Sequence, residues 1–257
     1  MAESAHDLDR LTYVGHATVL IEFDGVRLLT DPILRGRVAH LRRHGPAPGP
    51  EITEQIDAVL LSHLHHDHAD LRSLRAIGRD ASLLVPPGAG DYLRHAGFSA
   101  VSELAVGESV TVGGVRVGAV PAVHGGRRTP FGPRAEAVGF EVSGTRRLYF
   151  AGDTDLFEGM EELAAELDVA MLPVWGWGPN IGAGHLDPES GARAAALLAP
   201  RIAIPIHWGT FFPLGLARLR PHHLRLPPRD FARRTAELAP QVEVRVLSPG
   251  ESTSLSA

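Results

Sequence analysis

Short apolar runs divided by turn residues dominate this chain. Residues 11–14, 19–23 and 26–29 are continuous or alternating apolar stretches, the pattern of strands buried on one or both faces. Asp24-Gly25, between the last two, is a two-residue hairpin signal. Residues 58–61 and 83–85 read as further strands, the second stopped by Pro86-Pro87. Residues 110–123 are strand-like about a Gly113-Gly114 turn, and residues 137–142, 147–150, 169–173, 202–206 and 242–247 continue the series.

Helical spacing lies between these runs. Asp70 is placed to open a helix whose apolar face is Leu71, Leu74 and Ile77. Residues 91–96 form a short helix closed by Gly97, and Leu156, Met160, Leu163 and Leu167 mark one face of another. Asp187-Pro188-Glu189 is a helix start, a capping carboxylate followed by proline in the first turn, and Ala-rich sequence runs on from it to Pro200. Residues 228–238 give a last helix. Residues 35–50 are basic, rich in Gly and Pro and without an apolar period, so a surface loop is expected there, a candidate lid. Strands dominate both halves with helices interspersed. That order suits a sheet-on-sheet core flanked by helices better than a doubly wound parallel sheet. No linker divides the chain, and residues 1–257 are expected to form one domain.

Composition narrows the class. With 44% hydrophobic and 21% charged residues the chain reads as a soluble globular protein, and 257 residues bury a full core without disulfides or a structural metal. The net charge of -5 argues against a general nucleic-acid binder. There is no cysteine, so any metal has to be held by imidazole and carboxylate, which admits zinc, manganese or iron. Residues 1–10 are polar and acidic, unlike a signal peptide, and no apolar run approaches the roughly 18 residues that span a bilayer. A cytoplasmic protein without a transmembrane segment is expected. Histidine is over-represented, with fourteen residues, many in loops after apolar runs.

The chemistry concentrates in His63-x-His65-x-Asp67-His68, directly after the strand at residues 58–61. A tight loop at a strand end points four such side chains at one small volume. His63 and His65 can share one metal while Asp67 and His68 face a second, and two metals roughly 3.5–4 Å apart can share a hydroxide and clamp both ends of a displacement. More ligands are needed than this loop supplies. His124, Asp153 and His207 each end an apolar run beside glycine. Singly, each is more often a buried polar residue satisfied by backbone. Together they repeat one pattern at strand ends, where sites are usually built.

These motifs resemble the metallo-β-lactamase superfamily over nearly the whole chain. Gly15-His16-Ala17-Thr18, Thr30-Asp31-Pro32, Gly152-Asp153-Thr154, His185-Leu186-Asp187-Pro188-Glu189 and His207-Trp208-Gly209-Thr210-Phe211 resemble one branch of it. That branch includes the L-ascorbate-6-phosphate lactonases and the N-acyl-phosphatidylethanolamine phospholipase D enzymes. The resemblance implies an α+β fold, a four-layer αββα sandwich with the site at the edge between its sheets. It implies one metal on His63, His65 and His124 and another on Asp67, His68 and His207, with Asp153 bridging. Two departures weigh against an N-acyl phospholipid substrate. Asp155-Leu156 follow Thr154 where the phospholipase branch usually has Gly-Tyr, and Gly125-Gly126 follow the third histidine where an aromatic residue is common.

The expected function is a metal-dependent hydrolase. Two divalent ions, zinc foremost with manganese or iron as alternatives, would hold a hydroxide that cleaves an ester-type bond, a phosphodiester or a lactone. Asp67 is expected to ligate and to orient that hydroxide. His185, two residues before a helix cap, is expected to meet the oxyanion or protonate a leaving group, with a structural loop histidine as the alternative. His16 and Asp31 are candidates to orient ligands from behind. Arg127 and Arg128, close after His124, are candidates to receive an anionic small-molecule substrate, and Trp177 to line an apolar wall. A homo-oligomer is compatible with this chemistry. Two alternatives stand beside it: a non-catalytic metal-binding sensor or scaffold of the same fold, and a nuclease, which the net charge disfavours.

Overall fold

The computed structural model describes residues 9–129, 131–178 and 181–255. The polar N-terminal stretch lies, as far as residue 8, outside them. Strands β1 (Arg10–Gly15), β2 (Thr18–Phe23) and β3 (Val26–Thr30) form an antiparallel meander. Asp24 and Gly25 both take positive φ, 50° and 74°, as the tight turn between β2 and β3 requires. Strands β4 (Arg37–Val38) and β5 (Leu41–Arg43) make a small separate hairpin. Beyond β3 the chain continues in parallel through β6 (Ala58–Leu60), α1 (Leu71–Ile77), β7 (Leu83–Val85), α2 (Gly90–His95) and β8 (Val101–Glu103). The Asp70 carboxylate caps α1 by accepting from Ser73 N at 2.9 Å.

A second sheet follows the same plan. Strands β9 (Ser109–Val112), β10 (Val115–Pro121), β11 (Val138–Ser143) and β12 (Arg147–Phe150) are antiparallel. Strands β13 (Val169–Pro173) and β14 (Ile202–Ile206) extend it in parallel, joined by α3 (Pro188–Leu198) behind a capping box at Asp187. Then come β15 (Phe211–Pro213), which pairs with β5, the short α4 (Leu216–Leu219), α5 (Leu226–Leu238), β16 (Glu243–Val244) and β17 (Glu251–Ser254).

Among the described residues these strands make two seven-stranded sheets, ordered β17-β1-β2-β3-β6-β7-β8 and β16-β14-β13-β12-β11-β10-β9, with β15-β5-β4 apart. The facing sides share one core, in which Leu11, Val19, Ile21 and Leu60 of the first sheet join Val117, Phe140, Phe150 and Met171 of the second. Leu74 of α1 and Leu93 of α2 cover the outer face of the first sheet over Val59, Leu83 and Val85, while α3 and α5 cover the second. The order is helix, sheet, sheet, helix, the expected αββα sandwich. No described helix is long and apolar enough to cross a membrane.

Three sequence expectations need correction. Residues 35–50 are not wholly loop, because β4 and β5 pair there. Residues 156–167 are not a continuous helix. Gly159 takes a left-handed φ of 85° and leaves only a 3-10 turn at Met160–Ala164. The strand at residues 242–247 shortens to Glu243–Val244. Arg201 and Ala203 accept from the backbone N–H of Glu243 and Arg245, and the next position on that edge is Pro205, which has no N–H to give. Two strands, β8 and β17, carry too little apolar alternation to be read from the sequence.

Candidate metal centre

The turn from β6 into α1 carries His63, His65, Asp67 and His68, and it is closed by His68 N and Ala69 N donating to His65 O. His124 follows β10, Asp153 follows β12 and His207 follows β14, so the second sheet supplies the remaining candidates from its own strand ends. The backbone is strained where they meet. His16, Asp31 and His207 have φ of 60°, 33° and 62°, a region that non-glycine residues enter rarely, and the three come together at one place. Gly152 beside Asp153 has φ 60°, and a Cβ there would fall 2.5 Å from Ser62 Cβ.

Two groups of donor atoms result. His63 Nε2 and His124 Nε2 each lie 3.0 Å from His65 Nδ1. His68 Nε2 and His207 Nε2 lie 3.0 Å apart, each 3.9 Å from Asp67 Oδ2. The Asp153 carboxylate stands between the groups. Its Oδ2 is 3.9 Å from His63 Nε2 and His124 Nε2 and 3.2 Å from His68 Nε2, while its Oδ1 is 3.2 Å from His207 Nε2.

The outward ring nitrogens are committed. His124 Nδ1 donates to Gly184 O at 2.7 Å, and His207 Nδ1 donates to Trp175 O at 2.8 Å. His68 Nδ1 donates to Asp31 Oδ2 at 2.8 Å, and His63 Nδ1 lies 2.9 Å from Ser62 Oγ, which itself donates to Asp31 Oδ2. With the protons outside, the inner nitrogens turn lone pairs toward one another at 3.0 Å, an arrangement that a cation between them reconciles. The residues present therefore fit divalent metal. Asp153 Oδ1 is buried with no hydrogen-bond partner, as an atom reserved for a metal would be.

Electrostatics agree at His63, His65 and His207, and differ at His68, which has to give up a proton to bind metal. Burial holds the His63 and His207 pKa values well below the ordinary imidazole value, and burial together with His124 pushes His65 down to about 4. Such rings are neutral at pH 7, the form that binds metal. Burial opposes charge on Asp153, but His207 and His68 outweigh it and keep the carboxyl well below its usual range. Burial also opposes charge on His68, where Asp153 and Asp31 outweigh it and raise the pKa well above normal.

Comparison with known proteins settles the family. A family model described as a beta-lactamase superfamily domain matches residues 26–208. A UPF0173 metal-dependent hydrolase of Methanopyrus kandleri is 33% identical over 249 residues, 95% of this chain and 98% of that protein. The chain belongs to the metallo-β-lactamase superfamily. An N-acyl-phosphatidylethanolamine-hydrolyzing phospholipase D of Caenorhabditis elegans is 30% identical over 245 residues, 85% of this chain and 67% of that one. Among solved structures, the metallo hydrolase Igni18 of Ignicoccus hospitalis aligns with TM-score 0.73 and 26% identity, over 95% of this chain and 97% of that one. The chain is thus a metal-dependent hydrolase of the metallo-β-lactamase fold that uses divalent metal.

Within this superfamily member the remaining sequence candidates divide. Asp31 lies behind His68, and its Oδ1 also accepts from Ser62 N at 2.8 Å. His16 Nε2 lies 3.0 Å from Asp67 Oδ2, and His16 O accepts from His207 N at 2.7 Å, which joins the two motifs to each other. His185 Nε2 is 3.5 Å from Asp153 Oδ2, and its Nδ1 is 3.1 Å from Gly182 O. Trp177 lines a cavity of about 360 Å³ beside the ligands. Arg128 also lines it, but Nη1 donates to Leu64 O at 2.6 Å and Ala69 O at 2.9 Å. Arg127 is exposed and outside that lining.

Sequence reasoning missed the clamp that Arg128 makes on the ligand turn, and the β4–β5 hairpin as a cavity wall. The isolated apolar pair Val38 and Leu41 in an otherwise polar stretch was the available signal for the hairpin.

Proposed function

We propose that this chain hydrolyses an ester-type bond, a phosphodiester or a lactone, with two divalent cations. His63, His65 and His124 hold one, and Asp67, His68 and His207 hold the other. Asp153 would serve both, and its carboxylate, which stands between the groups with oxygens 3.2 Å from His68 and His207 and 3.9 Å from His63 and His124, is the observation that carries the reading. Zinc is the proposed ion, and manganese and iron suit the same nitrogen and oxygen donors. Bound in pairs, such cations supply an activated water and polarise the oxygen under attack.

The chain's own residues do the rest. His16 fixes Asp67 through its Nε2, so that Asp67 keeps an orientation from which to ligate and to align the nucleophile. His185 faces the cavity. Burial lowers its proton affinity, but the contact with Asp153 raises the pKa above the imidazole value overall, which suits an acid that protonates a leaving group. The core shared by both sheets supports treating residues 1–257 as one domain.

The test is metal analysis followed by assay of the loaded protein on bis-p-nitrophenyl phosphate, lactones and thioesters. Two equivalents of metal per chain with turnover of an ester or lactone, abolished by chelation and restored by metal, is the expected result. One equivalent overturns the pairing. Two equivalents without turnover of any substrate favours a binding role for the same site.

A further inference from the structure

The cavity beside the ligands has two unlike sides. His65, Asp67, Asp153 and His185 form the polar side. Val38, Ala39, Leu41 and Trp177 form the other, with the His40 ring edge-on to the Trp177 indole at a centroid distance of 4.9 Å. Val38 and Leu41 are buried in a small cluster with Ile33 and Phe211, and Trp177 packs against it.

This wall is preformed. Arg35 makes a forked pair with the Asp70 carboxylate at 2.8 and 2.9 Å, just before the hairpin. At its far end Arg43 is buried, donates to Val14 O at 3.1 Å and lies over the Phe211 ring at 5.0 Å. β5 is paired along its length with β15. A hairpin held at both ends keeps its shape when a ligand arrives.

The hairpin side of the cavity carries no arginine, lysine or carboxylate among the described lining residues. Among the described residues, Arg128 is the only arginine in the lining, and three of its N–H groups go to Leu64 O, Ala69 O and His66 Nδ1. Arg37, on the hairpin, donates to Ala39 O and stays outside the lining. Arg128 keeps its charge, but an anionic substituent laid against Val38, Leu41 and Trp177 would lose hydration with no charged partner among those residues. A cavity near 360 Å³ lies at the lower end of the small-molecule range. Beside the scissile group it has room for at least one ring-sized substituent.

We propose that the substrate carries a neutral, apolar group of about that size, an aryl or compact acyl group placed against Trp177, Val38 and Leu41, and that the β4–β5 hairpin sets this preference. The proposal rests on the hydrolase reading for where the scissile bond lies. It replaces the anionic substrate expected from Arg127 and Arg128 with a neutral one.

The experiment measures binding, so that it reads the wall apart from turnover. Zinc-loaded protein is titrated calorimetrically with acetohydroxamate, benzohydroxamate and 4-carboxybenzohydroxamate, which share one metal-binding group and differ in what they present to the wall. Benzohydroxamate is expected to bind at least about tenfold tighter than acetohydroxamate, the scale of burying one ring. The carboxylated ring should bind more weakly than the plain one. W177A should bring benzohydroxamate toward the acetohydroxamate affinity, and W177F, which keeps a ring, should restore most of the gap, with metal content and far-UV circular dichroism confirming that both variants fold. Equal affinity for methyl and phenyl, tighter binding of the carboxylate, no binding of benzohydroxamate, or a ratio that survives W177A each overturns the proposal. Absence of ester turnover with the ratio intact would overturn the hydrolase reading and leave the wall standing.

Discussion

The group of His63, His65 and His124 and the group of Asp67, His68 and His207 both face Asp153, yet their surroundings differ. The first has no carboxylate of its own and reaches the open cavity through His65, as the second does through Asp67. The second has Asp67, is deeply buried at His68 and His207, and has His16 and Asp31 pressed behind it. Asp153 leans the same way, with oxygens 3.2 Å from His68 and His207 but 3.9 Å from His63 and His124. A divalent cation gains most where carboxylate charge is close and water is excluded. In the proposed two-ion site the group with Asp67 should therefore hold its ion longer, and the all-histidine group should exchange its ion faster.

Removing the shared carboxylate should do most damage. D153A is expected to lower kcat/KM by more than about 100-fold, beyond the 10–100-fold typical of losing a ligand's outer partner, and to lower metal content in both groups. Steady-state rates beside elemental analysis check this, and a variant that keeps one full equivalent and most of its rate would show the groups to be independent. D31N should be next. It removes the carboxylate behind His68 and is expected to weaken the slower-released ion by about 10–100-fold in competitive chelation, with a smaller effect on the faster one. An equal loss of both ions would erase the proposed contrast.

R128K should be the mildest and should fall on the other side. Lysine keeps the charge but has one nitrogen, so it loses the planar reach by which Nη1 serves Leu64 O and Ala69 O while Nη2 meets His66 Nδ1, and the turn that presents His65 should loosen. About a tenfold faster release of the first ion to a chelator is expected, with the second unchanged. Cobalt substitution gives an independent readout, a shifted visible spectrum for the all-histidine group alone. A change confined to the second ion would place Arg128's influence elsewhere.

Much of this was legible before the fold. Asp70 before Leu71, Leu74 and Ile77 and Asp187-Pro188 before an Ala-rich run announced α1 and α3, because caps and apolar period act within a few residues. The four ligand-type residues of the His63–His68 turn were visible for the same local reason. What escaped lacked a local signal. β17 reads Glu-Ser-Thr-Ser, and its strand exists only because β1 offers an edge with Arg10 opposite Ser254. Leu156, Met160, Leu163 and Leu167 have helical spacing, but Gly159 breaks the backbone and the packed side chains reach the core without a helix.

The sequence alone determined the donor types, the absence of thiolate, the caps and most strands, since these follow from side-chain chemistry and short-range periodicity. Only the tertiary structure decided that the ends of β10, β12 and β14 meet the turn after β6, that Asp153 stands between the two groups of donors, that Arg128 turns inward to hold backbone, and that the hairpin of Val38 and Leu41 becomes a wall. These are meetings between segments far apart in the chain. Burial in a shared core and backbone pairing at sheet edges choose them, and neither leaves a periodic trace in the residues concerned.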